Sequence, residues 1–201
     1  MNPRHSLRKI LGLYEQELNG WIEGALRRVS RVIDVGANDG YFTFGCRAAL
    51  ERLGKSGTIV AFEPQAGHVR DLRASALQQQ GNGVEIRIVE AMVGRESGPG
   101  TVTLDGLEGA VGFGQHRENT LIKIDVEGAE LEVIAGAETW MHPTNQFLIE
   151  VHDPAYVAPL TQTFCSHGLR LKQINQRTRS LIGRESRAPD NCWLVSEPAS
   201  A

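Results

Sequence analysis

A few acidic side chains and one imidazole sit at the ends of apolar runs, where carboxylates and imidazoles can do chemistry. The first run, VIDV at 32–35, leads into the turn Asp34-Val35-Gly36-Ala37-Asn38-Asp39-Gly40. A second ends AFEP and places Glu63 23 residues beyond Gly40. A later run ends in Asp125, with Glu127 two residues on. The next carries Glu150 and His152, two apart and so on one face of a strand. An imidazole titrates near neutral pH, so His152 is the candidate proton acceptor, with Asp125 to orient it. Asp125, Glu150 and His152 also suit a divalent cation that lowers an acceptor's pKa. Plainer roles stand beside these. Glu127-Gly128 would open a helix, Glu150 would be a buried carboxylate met by backbone or Lys123, and His152-Asp153-Pro154 would be a strand-end turn.

The first turn limits the ligand. It is not G-x-G-x-x-G, because Asn38 stands two after Gly36, and no Gly-Lys-Ser/Thr follows. Asp34 and Asp39 would repel a pyrophosphate, whereas a ligand carrying positive charge is welcome. S-adenosylmethionine has an ammonium and a sulfonium, and its carboxylate can take a helix N-terminus. The expected contacts are Asp34, Gly36, Ala37, Asn38, Gly40, Tyr41 and Phe42 from the first turn. Glu63, followed by Pro64, stands where an acidic residue accepts hydrogen bonds from two ribose hydroxyls. Glu90 and Ala91 would edge the adenine, and Asp125 would hold the methionine end. Methyl transfer is a single in-line displacement, so alignment and proton removal are all it asks of the protein. Candidate catalytic residues are His152, Asp125 and Glu127.

These residues must be positioned by the elements around them. An amphipathic helix is expected over 10–29, with Leu11, Tyr14, Leu18, Trp21, Ile22 and Ala25 on one stripe. It would cover the sheet or form a dimer seam. Strands are expected at 32–35, 58–62, 84–89, 121–125 and 147–151, and helices at 41–53, 65–79 and 129–141. Strand, helix, strand at this spacing predicts an α/β fold of three layers, doubly wound and mostly parallel. A helix near 158–166 and strands at 169–175 and 191–196 complete about seven strands, the last antiparallel. The stretch 95–120, with six glycines and no sustained period, reads as a surface connection or a mobile loop over the site. One domain is expected over 1–201, with a helical segment at 1–30, the binding core at 32–152 and a closing helix and strand pair at 153–201.

Composition sets the outer limits. The 201 residues are 41% hydrophobic and 22% charged, with net charge −3, which argues against a nucleic-acid binder. No apolar run approaches a membrane span and no secretory signal opens the sequence, so the expected setting is the cytoplasm. Cys46, Cys165 and Cys192 lack metal or disulfide spacing. Arg177, Arg179, Arg184 and Arg187 read as a solvated tip or as a contact for an anionic substrate. The expected partner is a small-molecule acceptor, and the chain a monomer or homodimer.

Four blocks together, VIDVGANDGYFT at 32–43, AFEP at 61–64, LIKIDVEGAELEVIAGA at 121–137 and IEVH at 149–152, resemble the FkbM family of methyltransferases. The resemblance covers roughly 32–152 and implies a seven-stranded class I, Rossmann-like fold. It also implies methyl transfer from S-adenosylmethionine, mostly to hydroxyls of sugars, polyketides and other small metabolites. The segment 95–120 is shorter than in members of that family and keeps TVTLDGL as its counterpart block. Transfer to nitrogen and a non-catalytic binding module are the alternatives. A dinucleotide oxidoreductase is disfavoured by the first turn.

Overall fold

The computed structural model describes residues 16–79, 83–107, 116–174 and 191–197. Helix α1 (Gln16–Arg28) leads to β1 (Arg31–Val35), α2 (Tyr41–Arg52), β2 (Gly57–Phe62), α3 (Ala66–Gln78) and β3 (Val84–Val89). Two short strands, β4 (Met92–Val93) and β5 (Thr101–Val102), come before β6 (Thr120–Ile124), α4 (Glu130–Ala135) and β7 (Gln146–Val151). Helix α5 (Val157–Ser166) and strands β8 (Arg170–Gln173) and β9 (Cys192–Glu197) close the chain. The main sheet runs β3-β2-β1-β6-β7-β9-β8. Its first five strands pair parallel, and β9 is antiparallel to both β7 and β8. This is the doubly wound sheet with one reversed strand that the sequence predicts.

The central strands are continuous apolar runs because both faces are covered. On one face Ala25 and Leu26 of α1, and Val29 just after it, meet Cys46 and Leu50 of α2 over Val32, Ile59 and Leu121. On the other, Val133 and Ile134 of α4 and Leu160 and Phe164 of α5 pack on Ile33, Val60, Ile122 and Phe147. Leu18 is buried with Leu148 and Trp193 while Trp21 and Ile22 pack beside them, so α1 covers the sheet. Leu11 and Tyr14 lie outside the described residues, as does the Arg-rich run at 177–187. The three cysteines are free thiols, and burial pushes the Cys46 thiol well above its ordinary value, with Asp34 adding to the effect. Among the described residues no helix is long and apolar enough to cross a membrane.

Two expectations are corrected and one helix boundary moves. The helix expected over 129–141 stops at Ala135. Gly136 presses on the backbone of Gly94, where a Cβ would come within 2.1 Å of the Gly94 carbonyl oxygen. A short 3₁₀ turn, Glu138–Trp140, follows. The helix expected over 65–79 runs from Ala66 to Gln78, with Gln65 capping it and Pro64 just before. Within 95–120, the stretch 95–107 is packed on the domain rather than an open surface connection. Strands β4 and β5 pair with each other, and Leu104 and Leu107 are buried. The Asp105 carboxylate accepts from the amides of Glu138 (2.9 Å) and Thr139 (3.0 Å), and the Trp140 indole donates to the Leu104 carbonyl at 3.0 Å. Residues 108–115 lie outside the described residues. Amide exchange at Gly94, Asp105 and Glu138 should therefore be slow in the free protein. Exchange there as fast as at surface turns would contradict this packing.

Candidate functional site

A cavity of about 270 Å³ opens beyond the carboxyl ends of β1, β2 and β6. Its walls include Gly36, Asn38, Glu63, Ala91, Asp125 and Glu127. From β1 the chain winds outward to β3 on one side and to β6 and β7 on the other. The cavity thus lies where the strand order reverses, the usual ligand crevice of such sheets.

The first turn is built for close approach. Gly36 has φ 79°, and a Cβ there would lie 1.9 Å from the Asp125 carbonyl oxygen. Any side chain would force β1 and the segment after β6 apart. The amides of Gly36 and Ala37 both donate to the Phe62 carbonyl at 3.0 Å. The Asn38 amide donates to Glu63 Oε2 at 2.8 Å, and the Gln65 amide to Glu63 Oε1 at 2.9 Å. Glu63 is 4% exposed and lines the cavity. Two backbone bonds fix its carboxylate, and a carboxylate has about four acceptor sites, so lone pairs remain for a ligand. His68 of α3 comes within 3.7 Å of Glu63.

Asp34 is placed differently from the expectation. It is fully buried, and its carboxylate accepts from Thr43 Oγ1 at 2.5 Å and pairs with Lys123 Nζ at 3.2 Å. The parallel register sets Asp34 beside Lys123 on neighbouring strands, which puts both side chains on one face. Lys123 Nζ also donates to the Gly36 carbonyl at 2.8 Å and lies 3.3 Å from Asp125 Oδ2. It ties the turn, β1 and the end of β6 together. Asp34 therefore does not present an open charge to a ligand. Asp39 is exposed and accepts from the Tyr41 amide at 3.2 Å, at the start of α2. The electrostatic case against a pyrophosphate weakens accordingly. A backbone case replaces it, because the Gly36 and Ala37 amides are already spent on Phe62.

Ala37, Gly40, Tyr41, Phe42 and Glu90 do not form the cavity wall. Ala37 is buried with Ala61 and Leu72. A Cβ on Gly40 would collide with Leu72 and Phe44 at 2.5 and 2.6 Å. Phe42 packs against the buried clusters that hold Leu121 and Leu148. Glu90 is exposed and faces Arg73 at 3.5 Å. Pro64 and Ala91 do line the cavity.

At the other end of the cavity, Asp125 comes within 3.7 Å of His152 Nε2. The Nδ1 of His152 is 2.7 Å from Glu130 Oε1. Glu130 is buried, and Oε1 also accepts from the Gly128 amide at 3.0 Å. The hydrogen bond to Glu130 raises the imidazole pKa above its ordinary value against the opposing effect of burial, with Glu150, Asp125 and the Glu130 charge adding to the rise. Burial alone would raise the Glu130 carboxyl. The bond from His152, then backbone bonds including that of Gly128, outweigh it and hold the carboxyl below the usual range. Asp125, Glu150 and His152 each offer a ligand atom within 4.8 Å of the others, a spacing compatible with a divalent cation. Glu127, at φ 50°, is exposed on the cavity rim.

The pair makes stability pH-dependent. A raised imidazole contributes fully below its unfolded value of about 6.5 and is lost as pH climbs through the folded value. A depressed carboxylate contributes above its unfolded value of about 4.3 and is lost on acidification. The stability difference between wild type and His152→Ala should thus be largest between about pH 4.5 and 6.5. It should shrink at alkaline pH in denaturation curves. A difference that grows from pH 6 to 9 would contradict the pairing.

Sequence reasoning missed Glu130 and the role of Lys123. Both stand in the block LIKIDVEGAE, but only its first two acids were read as chemistry. Glu130 looks like an ordinary helix-start carboxylate until α4 is laid against β7.

The family model of the FkbM methyltransferase domain matches residues 75–171. That span holds Ala91, Asp125, Glu127, Glu130, Glu150 and His152, and begins after the first turn and Glu63. Among solved structures, methyltransferase FkbM from Methylobacillus flagellatus KT aligns with TM-score 0.64 at 16% identity, over 84% of this chain and 44% of that one. The chain thus spans less than half of that protein's length. Precorrin-6y C5,15-methyltransferase from Geobacter metallireducens GS-15 aligns with TM-score 0.57 at 14% identity, over 90% and 87% of the two chains. Ribosomal protein L11 methylase from Lactobacillus delbrueckii subsp. bulgaricus gives 0.56 at 15%, over 92% and 78%. No curated protein matches the sequence. Identities this low speak for the fold alone, which is class I and Rossmann-like, and residues 75–171 are similar to the FkbM methyltransferase domain.

Proposed function

We propose that the chain transfers the methyl group of S-adenosylmethionine to a hydroxyl of a small metabolite or sugar. The observation that carries this reading is one cavity with Glu63 on its wall and Asp125, beside His152, at its other end. The residues fit the cofactor. Gly36 leaves no Cβ where a ligand must approach the backbone, and Glu63 keeps acceptor capacity after its two backbone bonds. When bound, the cofactor supplies a methyl carbon made electrophilic by the adjoining sulfonium. Glu63 would accept from the ribose hydroxyls, while Ala91 and Met92 would flank the adenine. Asp125 would hold the methionine ammonium or help orient His152. His152 Nε2 would take the acceptor's proton as its oxygen bonds to the methyl carbon and the carbon–sulfur bond breaks, leaving a neutral thioether. A hydroxyl acceptor needs such a base more than a neutral amine does, and this favours oxygen over nitrogen. The other half of the comparison protein's length has no counterpart here, so the acceptor is proposed as a class only.

Glu63→Ala should weaken S-adenosylmethionine binding by about 1–3 kcal/mol, the worth of a hydrogen-bonding carboxylate. Calorimetry on the folded variant checks this. Wild-type affinity with the fold intact would remove Glu63 from the cofactor site.

A further inference from the structure

We infer that Glu130 is the positioning residue of the proton-accepting imidazole, fixing the proton of His152 on Nδ1 and presenting Nε2 to the acceptor. The inference rests on the proposed transfer reaction and adds the residue that makes His152 competent for it. Glu130 stands at the first position of α4, five residues after Asp125, and its side chain is fully buried. Its Oε1 lies 2.7 Å from His152 Nδ1 and accepts from the Gly128 amide at 3.0 Å. A carboxylate only accepts, so the proton in that contact belongs to Nδ1. The other ring nitrogen is 3.7 Å from Asp125 Oδ1, beyond hydrogen-bond reach, and Asp125 lines the cavity while His152 stands behind it.

Geometry does the fixing from two directions. The Gly128 amide and the start of α4 hold the carboxylate, and the end of β7, directly before His152, places the imidazole. The charges facing His152 are Glu130 from α4, Asp125 beyond β6 and Glu150 on β7. Lys123 of β6 is one step away, 3.3 Å from Asp125. Glu130 alone bonds a ring nitrogen at 2.7 Å, so it selects the tautomer. Without it an imidazole is free to carry its proton on Nε2, where it would block the acceptor.

The test is ¹⁵N NMR of the His152 ring in the full chain, with wild type, Glu130→Gln and Glu130→Ala. Neutral wild-type imidazole should be protonated on Nδ1. Glu130→Gln keeps an acceptor oxygen but loses the charge, so the tautomer should persist while the titration midpoint falls. Glu130→Ala should move the tautomer ratio toward Nε2–H by about tenfold or more, the equilibrium worth of a charge-assisted hydrogen bond. If Glu130→Ala does not fold, the Glu130→Gln midpoint decides. Wild-type imidazole protonated on Nε2 would overturn the inference, and so would a Glu130→Gln midpoint equal to wild type. A lower melting temperature in either variant, with tautomer and midpoint unchanged, would reduce Glu130 to a helix-start carboxylate. S-adenosylmethionine binding, titrated on the same wild-type sample, separates the two levels. Its absence would defeat the proposed reaction and leave the tautomer result standing.

Discussion

Lys123→Met should destabilise the fold by about 3–5 kcal/mol, the cost of leaving a buried charge without its partner. Asp34 has no exposed surface, and Lys123 is the cation beside it, at 3.2 Å. Methionine keeps the length and apolar stem of lysine, so packing changes little and the charge is what is lost. The same ammonium serves the Gly36 carbonyl and faces Asp125, so the turn should loosen as well. Chemical denaturation measures the loss. The double variant Asp34→Asn, Lys123→Met removes both charges and should recover much of it, because a neutral amide can still accept from Thr43. A single variant with the wild-type midpoint would show that the pair does not hold the sheet end together. Recovery absent in the double variant would place the effect in Lys123's other contacts.

His152→Asn should lower turnover by about 100- to 10,000-fold, the usual worth of a positioned base. Asparagine is the informative replacement because its amide can still donate to Glu130. His152→Ala would leave that buried carboxylate without its imidazole and mix a stability loss into the rate. Affinity for S-adenosylmethionine should stay near wild type, since Glu63 and the first turn are untouched. In the wild type the rate should rise as the imidazole loses its proton. The bond to Glu130 raises that pKa, so the limb should lie above the ordinary histidine value. The asparagine variant should be flat across the same range. Near-normal turnover would exclude His152 as the base. Activity abolished by chelator and restored by added divalent ion would instead assign Asp125, Glu150 and His152 to a metal. The assay uses an acceptor found by screening small hydroxylated compounds.

The strands were legible because buried parallel strands are continuous apolar runs, and VIDV, TIVAF and FLIEV have no other reading at that spacing. The order of the blocks likewise pointed to the crevice at the end of β1, where the cavity lies. Which way Asp34 points was not legible. Alternation assigns a residue to one of two faces, and both faces here are covered. Its partner became visible only once β6 was known to lie beside β1, in the register that sets Lys123 next to it. Glu130 was hidden for a related reason. Its bond crosses 22 positions to the residue just after β7, and nothing local announces that contact. The glycines near 95 misled in the opposite sense. Next to that stretch, Gly136 carries no side chain because its backbone touches that of Gly94, which is close packing that composition alone does not reveal.

The central claim is that the crevice at the end of β1 and β2 takes S-adenosylmethionine and not a dinucleotide. Its backbone amides at Gly36 and Ala37 are committed to Phe62, and Asn38 offers its amide to Glu63 instead of to a phosphate. Calorimetric titration of the wild-type chain with S-adenosylmethionine, its demethylated product and NAD tests this most directly. The account predicts saturable binding of the first two at one site per chain, and no binding of NAD. Saturable heat with NAD and none with S-adenosylmethionine would contradict it.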